Sequence, residues 1–306
     1  MEKRSSRPGR CGLLWANKCL MMMKQIVFFL DNEFIPAGDR LVEKLTPGIL
    51  KGRGVFETMR VYPTGKIFGL PEHLSRLKRG LKILKIESPL SGKRMRETLE
   101  EVLGFNHFTS ARVRIIVWQD NRRVHVAIMA FPYDPFPASQ YAKGFKAIIS
   151  QSKLNEFYLM KDVKSLNYIF FLKAYQRAKT QGYDEALLLN RRGELVEGSR
   201  SNIFFLKDDK LYTPALASGC LRGITRGLVI KIARQMNIEV KQAITTPQEL
   251  LNVDEAFLTN SLIEAMPLTS VEGKPVGNGK AGPVTLKILR EYRRIVSKFF
   301  VGSSVF

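Results

Sequence analysis

The feature that most constrains the fold is a proline-rich run in mid-chain, Pro132-Tyr133-Asp134-Pro135-Phe136-Pro137. Proline has no backbone N–H to donate to a neighbouring strand, so a sheet cannot continue through three prolines set close together. The polar stretch that follows ends at Gly144. We therefore predict an interdomain linker over residues 133–144. It separates a small N-terminal domain, residues 23–132, from a larger domain, residues 145–306.

Both halves carry strand and helix patterns, which predicts an α+β protein. The N-terminal half has predicted strands at 26–30, 55–61, 66–70, 111–118 and 123–131, and helices at 71–84 and 92–103. In this half the strand at 66–70 is expected to form a hairpin with the strand at 55–61. The C-terminal half has predicted strands at 145–151, 195–196, 202–206, 210–213 and 256–260, and helices at 164–181, 224–236 and 283–300.

Composition excludes several classes of protein. The three cysteines and three histidines have no metal-ligand spacing, which favours a reducing compartment, such as the cytoplasm, with no metal site. A net charge of +21 suits an anionic substrate and cofactor; without a nucleic-acid-binding motif we predict no nucleic-acid partner. No apolar stretch reaches the ~20 residues of a membrane span, so no membrane association is expected. The basic residues 1–22 leave a transit or signal peptide open, but Asn17 and Lys18 interrupt the apolar part and no clear cleavage site follows, so we predict a disordered extension there.

Three groups of complementary chemistry follow one another in the second half. Lys164 supplies an amine, and Glu197 supplies an acid after the apolar pair Leu195-Val196. Gly223-Ile224-Thr225 then opens a predicted helix, whose free backbone N–H groups suit a phosphate. An amine that attacks an aldehyde, an acid that holds a ring nitrogen protonated and a phosphate cradle are what pyridoxal 5'-phosphate (PLP) requires. The order predicts a PLP enzyme.

From residue 26 to residue 295 the chain resembles the fold-type IV PLP enzymes, or class IV aminotransferase family. The motifs that carry the resemblance are Gly54-Val55-Phe56-Glu57-Thr58, His73-Leu74-Ser75-Arg76-Leu77, the run from Asp162 to Tyr168, the run from Glu197 to Phe204, the run from Leu221 to Arg226, and Thr259-Asn260-Ser261-Leu262. The resemblance implies a small α+β domain, a larger pseudo-barrel domain with the cofactor between them, and a homodimer.

The resemblance also assigns roles to individual residues. Lys164 would bind the PLP aldehyde, Glu197 would pair with its ring nitrogen, and Leu221 would pack against a face of the ring. Tyr168 would hydrogen-bond the phenolate oxygen of the cofactor. The phosphate contacts would come from Arg76, Ile224, Thr225 and Ser261.

The reaction is less constrained than the cofactor. Thr58 and the run Asn260-Ser261-Leu262 resemble the 4-amino-4-deoxychorismate lyases of the family, so the first expectation is a lyase that releases pyruvate and gives 4-aminobenzoate for folate synthesis. Thr58 would then assist Lys164, while Phe56, Arg114 and Leu262 would contact the small anionic amine substrate. The alternative is an aminotransferase for D-amino acids or branched-chain amino acids with 2-oxoglutarate. An alternative of another class is a basic binding module with a decayed PLP site.

Overall fold

Two β-sheets, one on each side of the proline-rich segment, organise the chain in a computed structural model that describes residues 26–37, 53–121, 123–155 and 162–301. The extension predicted over residues 1–22 lies outside the described residues. Pro132 is the last residue of the first sheet, and the second sheet begins at Phe145. A short helix, Ala138–Lys143, lies within the predicted linker. The domain boundary itself stays a prediction.

The first sheet has five antiparallel strands in the spatial order β2-β1-β5-β4-β3. Their bounds are β1 Val27–Leu30, β2 Glu33–Pro36, β3 Gly54–Val61, β4 Ala111–Asp120 and β5 Arg123–Pro132. Helices α1 (Leu70–Ile83) and α2 (Gly92–Asn106) cover one face, where an apolar core forms from the inward side chains of strands and helices. Side chains alternate along β3, so Val55 and Met59 enter this core and Phe56 points to the opposite face.

The second sheet has nine strands. Their bounds are β6 Phe145–Ile149, β7 Glu185–Leu189, β8 Leu195–Gly198, β9 Asn202–Lys207, β10 Lys210–Pro214, β11 Val240–Ala243, β12 Glu255–Asn260, β13 Glu264–Val271 and β14 Lys274–Pro275. The spatial order is β11-β10-β9-β12-β13-β6-β7-β8, with β14 paired to β13. The sheet curls so that β8, at one end, returns beside β9 and β10. This half-barrel confirms the predicted two-domain α+β fold class with a pseudo-barrel.

Helices pack around the second sheet and complete its core. They are α3 Ala138–Lys143, α4 Ile169–Thr180, α5 Ile224–Gln235 and α6 Pro283–Val301, with 3-10 turns at Leu216–Ser218 and Pro247–Asn252. The amphipathic α6 packs on α5, β12 and β13 and buries Ile288, Leu289 and Tyr292. Helix α5 buries Leu228, Val229 and Ile232 in the same core.

Two sequence-based element predictions were wrong. Residues 66–70 form no hairpin strand: only a single bridge joins Val61 to Ile67, because Gly69 adopts a left-handed conformation and caps α1, which begins at Leu70. The helix predicted from Lys164 begins five residues later, at Ile169, because residues 164–166 pair with β3 instead. The eight-residue strand β13 lay outside every predicted strand, although its side chains are almost all buried.

Candidate active site

Lys164 belongs to a short extended segment that lies along the free edge of β3. The Phe56 amide donates to the Lys164 carbonyl and the Leu166 amide donates to the Gly54 carbonyl, both at 2.9 Å. Gly54 allows this approach, because a Cβ there would lie 2.5 Å from the Val117 carbonyl oxygen and 2.8 Å from the Leu166 side chain. The segment from the second half of the chain thus extends the first sheet, and Lys164 lies between the two sheets.

The Lys164 side chain is partly exposed and is surrounded by aromatic rings and cations. Its Nζ lies 4.7 Å from the Phe56 ring centroid and 5.8 Å from that of Tyr168. Burial, followed by the nearby Arg76 charge, lowers the pKa of Lys164 to about 8. About a tenth of the amine is therefore neutral at pH 7, far more than for an ordinary lysine, and a nucleophilic lysine must be neutral.

Glu197, the predicted partner of the ring nitrogen, lies at the buried end of β8. Its Oε2 accepts hydrogen bonds from the Leu221 amide at 3.0 Å and from the Asn202 side-chain amide at 3.1 Å. Burial raises the pKa of Glu197 to about 7, although the Leu221 hydrogen bond and the Lys164 charge act in the opposite direction. A buried carboxylate with so high a pKa is under-compensated, and a ligand N–H beside it would supply the missing positive partner.

The start of α5 forms the wall of a small pocket. The pocket is lined by Arg60, Tyr62, Phe68, His73, Ile224, Thr225, Ser261 and Tyr292. Gly223 precedes the helix as its N-cap and supplies no side-chain cap, so the first N–H groups of α5 suit an outside acceptor. A Cβ on Gly223 would lie 2.0 Å from Oδ1 of Asn202, whose amide also donates to the Leu221 carbonyl. Asn202 thereby ties the helix start to Glu197.

A buried acid that sequence reasoning missed lies next to this pocket. Glu57 is fully buried and accepts hydrogen bonds from Nε and Nη2 of Arg76 at 2.7 and 2.6 Å. Nδ1 of His73 lies 2.8 Å from the same carboxylate, and its Nε2 lies 3.2 Å from Oγ of Ser261. Glu57 and His73 both belong to the motifs that carry the family resemblance. His73 and Arg76 are three residues apart, so both lie on the same side of α1, one turn apart.

The face of the first sheet beside Lys164 carries Phe56 and Arg114, two of the three residues predicted to bind substrate; the third, Leu262, lies in the turn between β12 and β13. Thr58 on β3 lies directly opposite Arg114 on β4, and the Arg114 guanidinium lies 5.1 Å from the centroid of the Phe56 ring. Burial, followed by the charge of Arg112, lowers the pKa of Arg114. Among the described residues, no hydrogen bond joins the Thr58 hydroxyl to Lys164. A mostly buried arginine beside an aromatic ring suits a substrate carboxylate.

Three residues of the quoted motifs have their polar groups engaged within the protein. Tyr168 donates its hydroxyl hydrogen to the Ser199 carbonyl at 2.7 Å. To donate to a cofactor oxygen instead, the Tyr168 hydroxyl would have to give up this hydrogen bond. The Leu262 carbonyl accepts from the Tyr133 hydroxyl at 2.8 Å. Oδ1 of Asn260 accepts from the amides of Leu262 and Ile263 and fixes the turn after β12.

The comparisons with known proteins agree with this geometry. The model of the family "Amino-transferase class IV" matches residues 54–271, and the chain belongs to this family of PLP-dependent aminotransferases. The branched-chain-amino-acid aminotransferase of Pseudomonas aeruginosa is 32% identical over 89% of this chain and 93% of its own length. The D-alanine aminotransferase of Listeria monocytogenes is 33% identical over 85% of this chain and 92% of its own.

A solved structure covers nearly the whole chain as well. The branched-chain amino acid aminotransferase of T.th., crystallised with pyridoxamine 5'-phosphate, superposes with a TM-score of 0.82 at 29% identity over 93% of this chain and 100% of its own. The cofactor and enzyme-class predictions are therefore confirmed. The lyase prediction is unconfirmed, because these relatives are named aminotransferases.

The site residues fit PLP. The Lys164 amine, with its lowered pKa, suits the PLP aldehyde. The buried Glu197 carboxylate suits the ring nitrogen, and the start of α5, which has no side-chain cap, suits the phosphate. Within residues 26–37, 53–121, 123–155 and 162–301, no cluster of His, Cys, Asp and Glu could hold a metal ion. No helix in those ranges is long and apolar enough to cross a membrane.

Proposed function

We propose that this chain is an aminotransferase that takes the amino group from a branched-chain amino acid and passes it to 2-oxoglutarate. The observation that carries the proposal is the amine of Lys164, which lies against the Phe56 and Tyr168 rings and has a pKa of about 8. The branched-chain relatives support the choice of substrate. The related T.th. enzyme has also been crystallised with N-(5'-phosphopyridoxyl)-L-glutamate, which supports glutamate as the second amino acid.

The cofactor residues have separate roles in this proposal. Bound PLP supplies an aldehyde and an electron-withdrawing ring. Lys164 would hold the aldehyde, Glu197 would keep the ring nitrogen protonated, and Leu221 would pack against the ring. The phosphate would be bound by Arg76, Ile224, Thr225 and Ser261. Tyr168 would border the phenolate side of the ring.

Lys164 would also act as the proton carrier. When not engaged with the aldehyde, Nζ would be the free base that accepts the proton of the substrate α-carbon. The Phe56 and Tyr168 rings pack beside Nζ and cover part of it, which would slow loss of the proton to solvent and favour its redelivery. Retention of that proton is what amino-group transfer needs.

Arg114 would bind the substrate carboxylate. Its guanidinium packs beside Phe56, and the charges of Arg112 and Arg200 are close enough to oppose its own, so an anionic ligand relieves the repulsion. Phe56 and Leu262 would form the apolar surface for the aliphatic side chain. Thr58, opposite Arg114, would line the same wall.

The lyase remains the second proposal, and Thr58 is the observation that favours it. The Thr58 hydroxyl, which lies opposite Arg114 on the first sheet, could protonate a leaving group. The Asn260-Ser261-Leu262 run supports the lyase less than the sequence implied, because the Asn260 side chain is used to fix its own turn. A D-amino-acid donor also stays open, since the Listeria relative is a D-alanine aminotransferase.

One set of assays separates these activities. Purified PLP-loaded protein is supplied in parallel with leucine plus 2-oxoglutarate, D-alanine plus 2-oxoglutarate, or 4-amino-4-deoxychorismate alone, and initial rates of glutamate or pyruvate formation are compared. We expect leucine to give the fastest turnover. A faster release of pyruvate from aminodeoxychorismate would replace the proposal with the lyase, and a faster D-alanine rate would move the donor to D-amino acids.

A further inference from the structure

Glu57 has no part in the chemistry proposed above, yet it is fully buried next to the phosphate pocket. Burial pushes its pKa up, but Arg76 and His73 outweigh burial and hold the pKa of Glu57 at about 2. Glu57 is therefore ionised and can only accept hydrogen bonds. Burying a charge of this kind costs free energy unless opposite charges and hydrogen bonds compensate for the lost water.

The first partner of Glu57 is the predicted phosphate ligand Arg76. Two of the guanidinium donors go to the two carboxylate oxygens, and Nη1 donates to the Arg222 carbonyl at 3.2 Å. Arg222 directly precedes Gly223, the N-cap of α5. The bidentate pair fixes the plane of the guanidinium, and the third bond sets it against the helix start.

The second partner is His73, which links Glu57 to Ser261. Because Glu57 only accepts, Nδ1 of His73 must donate to it. Burial lowers the pKa of His73, so Nε2 carries no proton and must accept the hydrogen of the Ser261 hydroxyl at 3.2 Å. In this arrangement Ser261 turns its lone pairs, and not its hydrogen, towards the pocket.

We propose that Glu57 is the positioning residue of the phosphate subsite: it orients Arg76, and it supports a proton that His73 takes up when the phosphate binds. With Nε2 protonated, His73 donates to Ser261, whose hydrogen is then free for the phosphate. The charged groups around His73 are Glu57, Arg76 and Lys164, and a phosphate dianion would be the added negative charge. The inference rests on the phosphate placement proposed above and is independent of the amino-acid substrate.

The test compares binding of PLP with binding of pyridoxal, which has the aldehyde and ring but no phosphate. Both are titrated into cofactor-free protein and followed by the absorption of the Lys164 adduct. For Glu57→Gln we expect PLP affinity to fall about tenfold to hundredfold, as for loss of a buried charged hydrogen bond, with pyridoxal affinity unchanged. The matched control is Glu255→Gln, a buried acid that caps α6 through Val284 and Thr285; it should leave the ratio of the two affinities unchanged.

The second readout is the protonation of the imidazole. The chain has only three histidines, so 15N-imidazole spectra are simple, and His107→Asn and His125→Asn assign the His73 signals. We expect a neutral His73 in the cofactor-free and pyridoxal-bound protein and an imidazolium in the PLP-bound protein. Ser261→Ala serves as a second variant in case Glu57→Gln does not fold, because it leaves Glu57 in place. It should lower the affinity for PLP and leave the affinity for pyridoxal unchanged.

The outcomes separate the inference from the proposal on which it rests. Equal losses of PLP and pyridoxal affinity in Glu57→Gln, or a neutral His73 in the PLP-bound protein, would overturn the role of Glu57. If Ser261→Ala and Thr225→Ala both leave the ratio of PLP to pyridoxal affinity unchanged, the phosphate placement itself fails.

Discussion

At the residue scale, chemistry-bearing side chains were easier to predict than their partners. Lys164 and Glu197 stand out because an isolated amine and a carboxylate after a buried strand need an explanation. Glu57 was missed as a functional group because its partners, His73 and Arg76, lie 16 and 19 residues away and meet it only through folding. The Asn260 side chain is a weaker signal than its resemblance to a lyase motif implied, because its Oδ1 fixes the turn after β12 and its Nδ2 donates to the Arg200 carbonyl.

The lowered pKa of Lys164 predicts how fast cofactor-free protein captures PLP. Only the neutral amine attacks the aldehyde, so the capture rate at fixed PLP should rise with pH through a midpoint of about 8 and level off above it. Stopped-flow absorption over a pH range of about 6 to 10 measures this, and Lys164→Ala should show no adduct absorption. A midpoint near the ordinary lysine value of about 10.4 would contradict the surroundings described here.

The raised pKa of Glu197 predicts that this residue lowers the stability of the cofactor-free protein while serving its function. Because folding raises its pKa to about 7 from about 4.5, the unfolded chain loses this proton more readily, and stability falls as pH rises from about 4.5 to 7. Glu197→Gln should stabilise cofactor-free protein at about pH 8 by about 1–3 kcal/mol, with a smaller gain at about pH 5. Urea unfolding at the two pH values checks this, and aminotransferase activity should fall at least about tenfold. An equal gain at both pH values would show that charge is not the cause.

At the element scale, periodic segments were predictable and edge contacts were not. Helix α1 follows from its three- and four-residue apolar spacing, helix α5 follows from the glycine that opens it, and the β4–β5 hairpin follows from strand patterns around a short turn. The extended segment at Lys164 does not follow, because the pairing that holds it comes from β3, more than a hundred residues earlier. Long-range pairing carries no local signal, and the sequence instead suggested a longer α4.

The start of α5 gives a prediction with a matched control on the same helix. Gly223→Ala would place a Cβ 2.0 Å from Oδ1 of Asn202, so Asn202 must move away from Glu197 and the Leu221 carbonyl. We expect PLP affinity to fall at least about tenfold, with about 1–3 kcal/mol lost from the free energy of unfolding. Gly227→Ala has open space and should add about 0.5–1 kcal/mol with PLP affinity unchanged. Equal behaviour of the two variants would refute the role of the close Gly223–Asn202 approach.

At the scale of the whole molecule, the proposed cofactor site joins the two sheets. Lys164 and the phosphate-site residues of α5 come from the second half, and Arg76 and Phe56 come from the first. The two-sheet α+β architecture could be predicted from the proline-rich break and from resemblance. The curl of the second sheet could not be derived from strand patterns, because it depends on β8 returning to β9 and β10. The homodimer stays a prediction, which sedimentation of the PLP-loaded protein would test.

A ligand that bridges the two sheets should stabilise both together. At PLP concentrations about 1,000 times its Kd we expect about 4 kcal/mol of added stability. Hydrogen exchange should slow in β3 and in α5 alike when PLP is added, since each contributes part of the site. Protection confined to α5 and β8 would indicate that the first sheet does not contact the cofactor.

Transfer of nitrogen from leucine tests the proposed activity most directly. PLP-loaded protein is incubated with [15N]leucine and 2-oxoglutarate, and the label in glutamate is followed by NMR. We predict one labelled glutamate for each leucine consumed, no free ammonia, and no transfer in Lys164→Ala. Absence of labelled glutamate from wild-type protein would contradict the proposed branched-chain aminotransferase activity. Transfer that persists in Lys164→Ala would contradict the assignment of Lys164 as the amine that binds the cofactor and carries the proton.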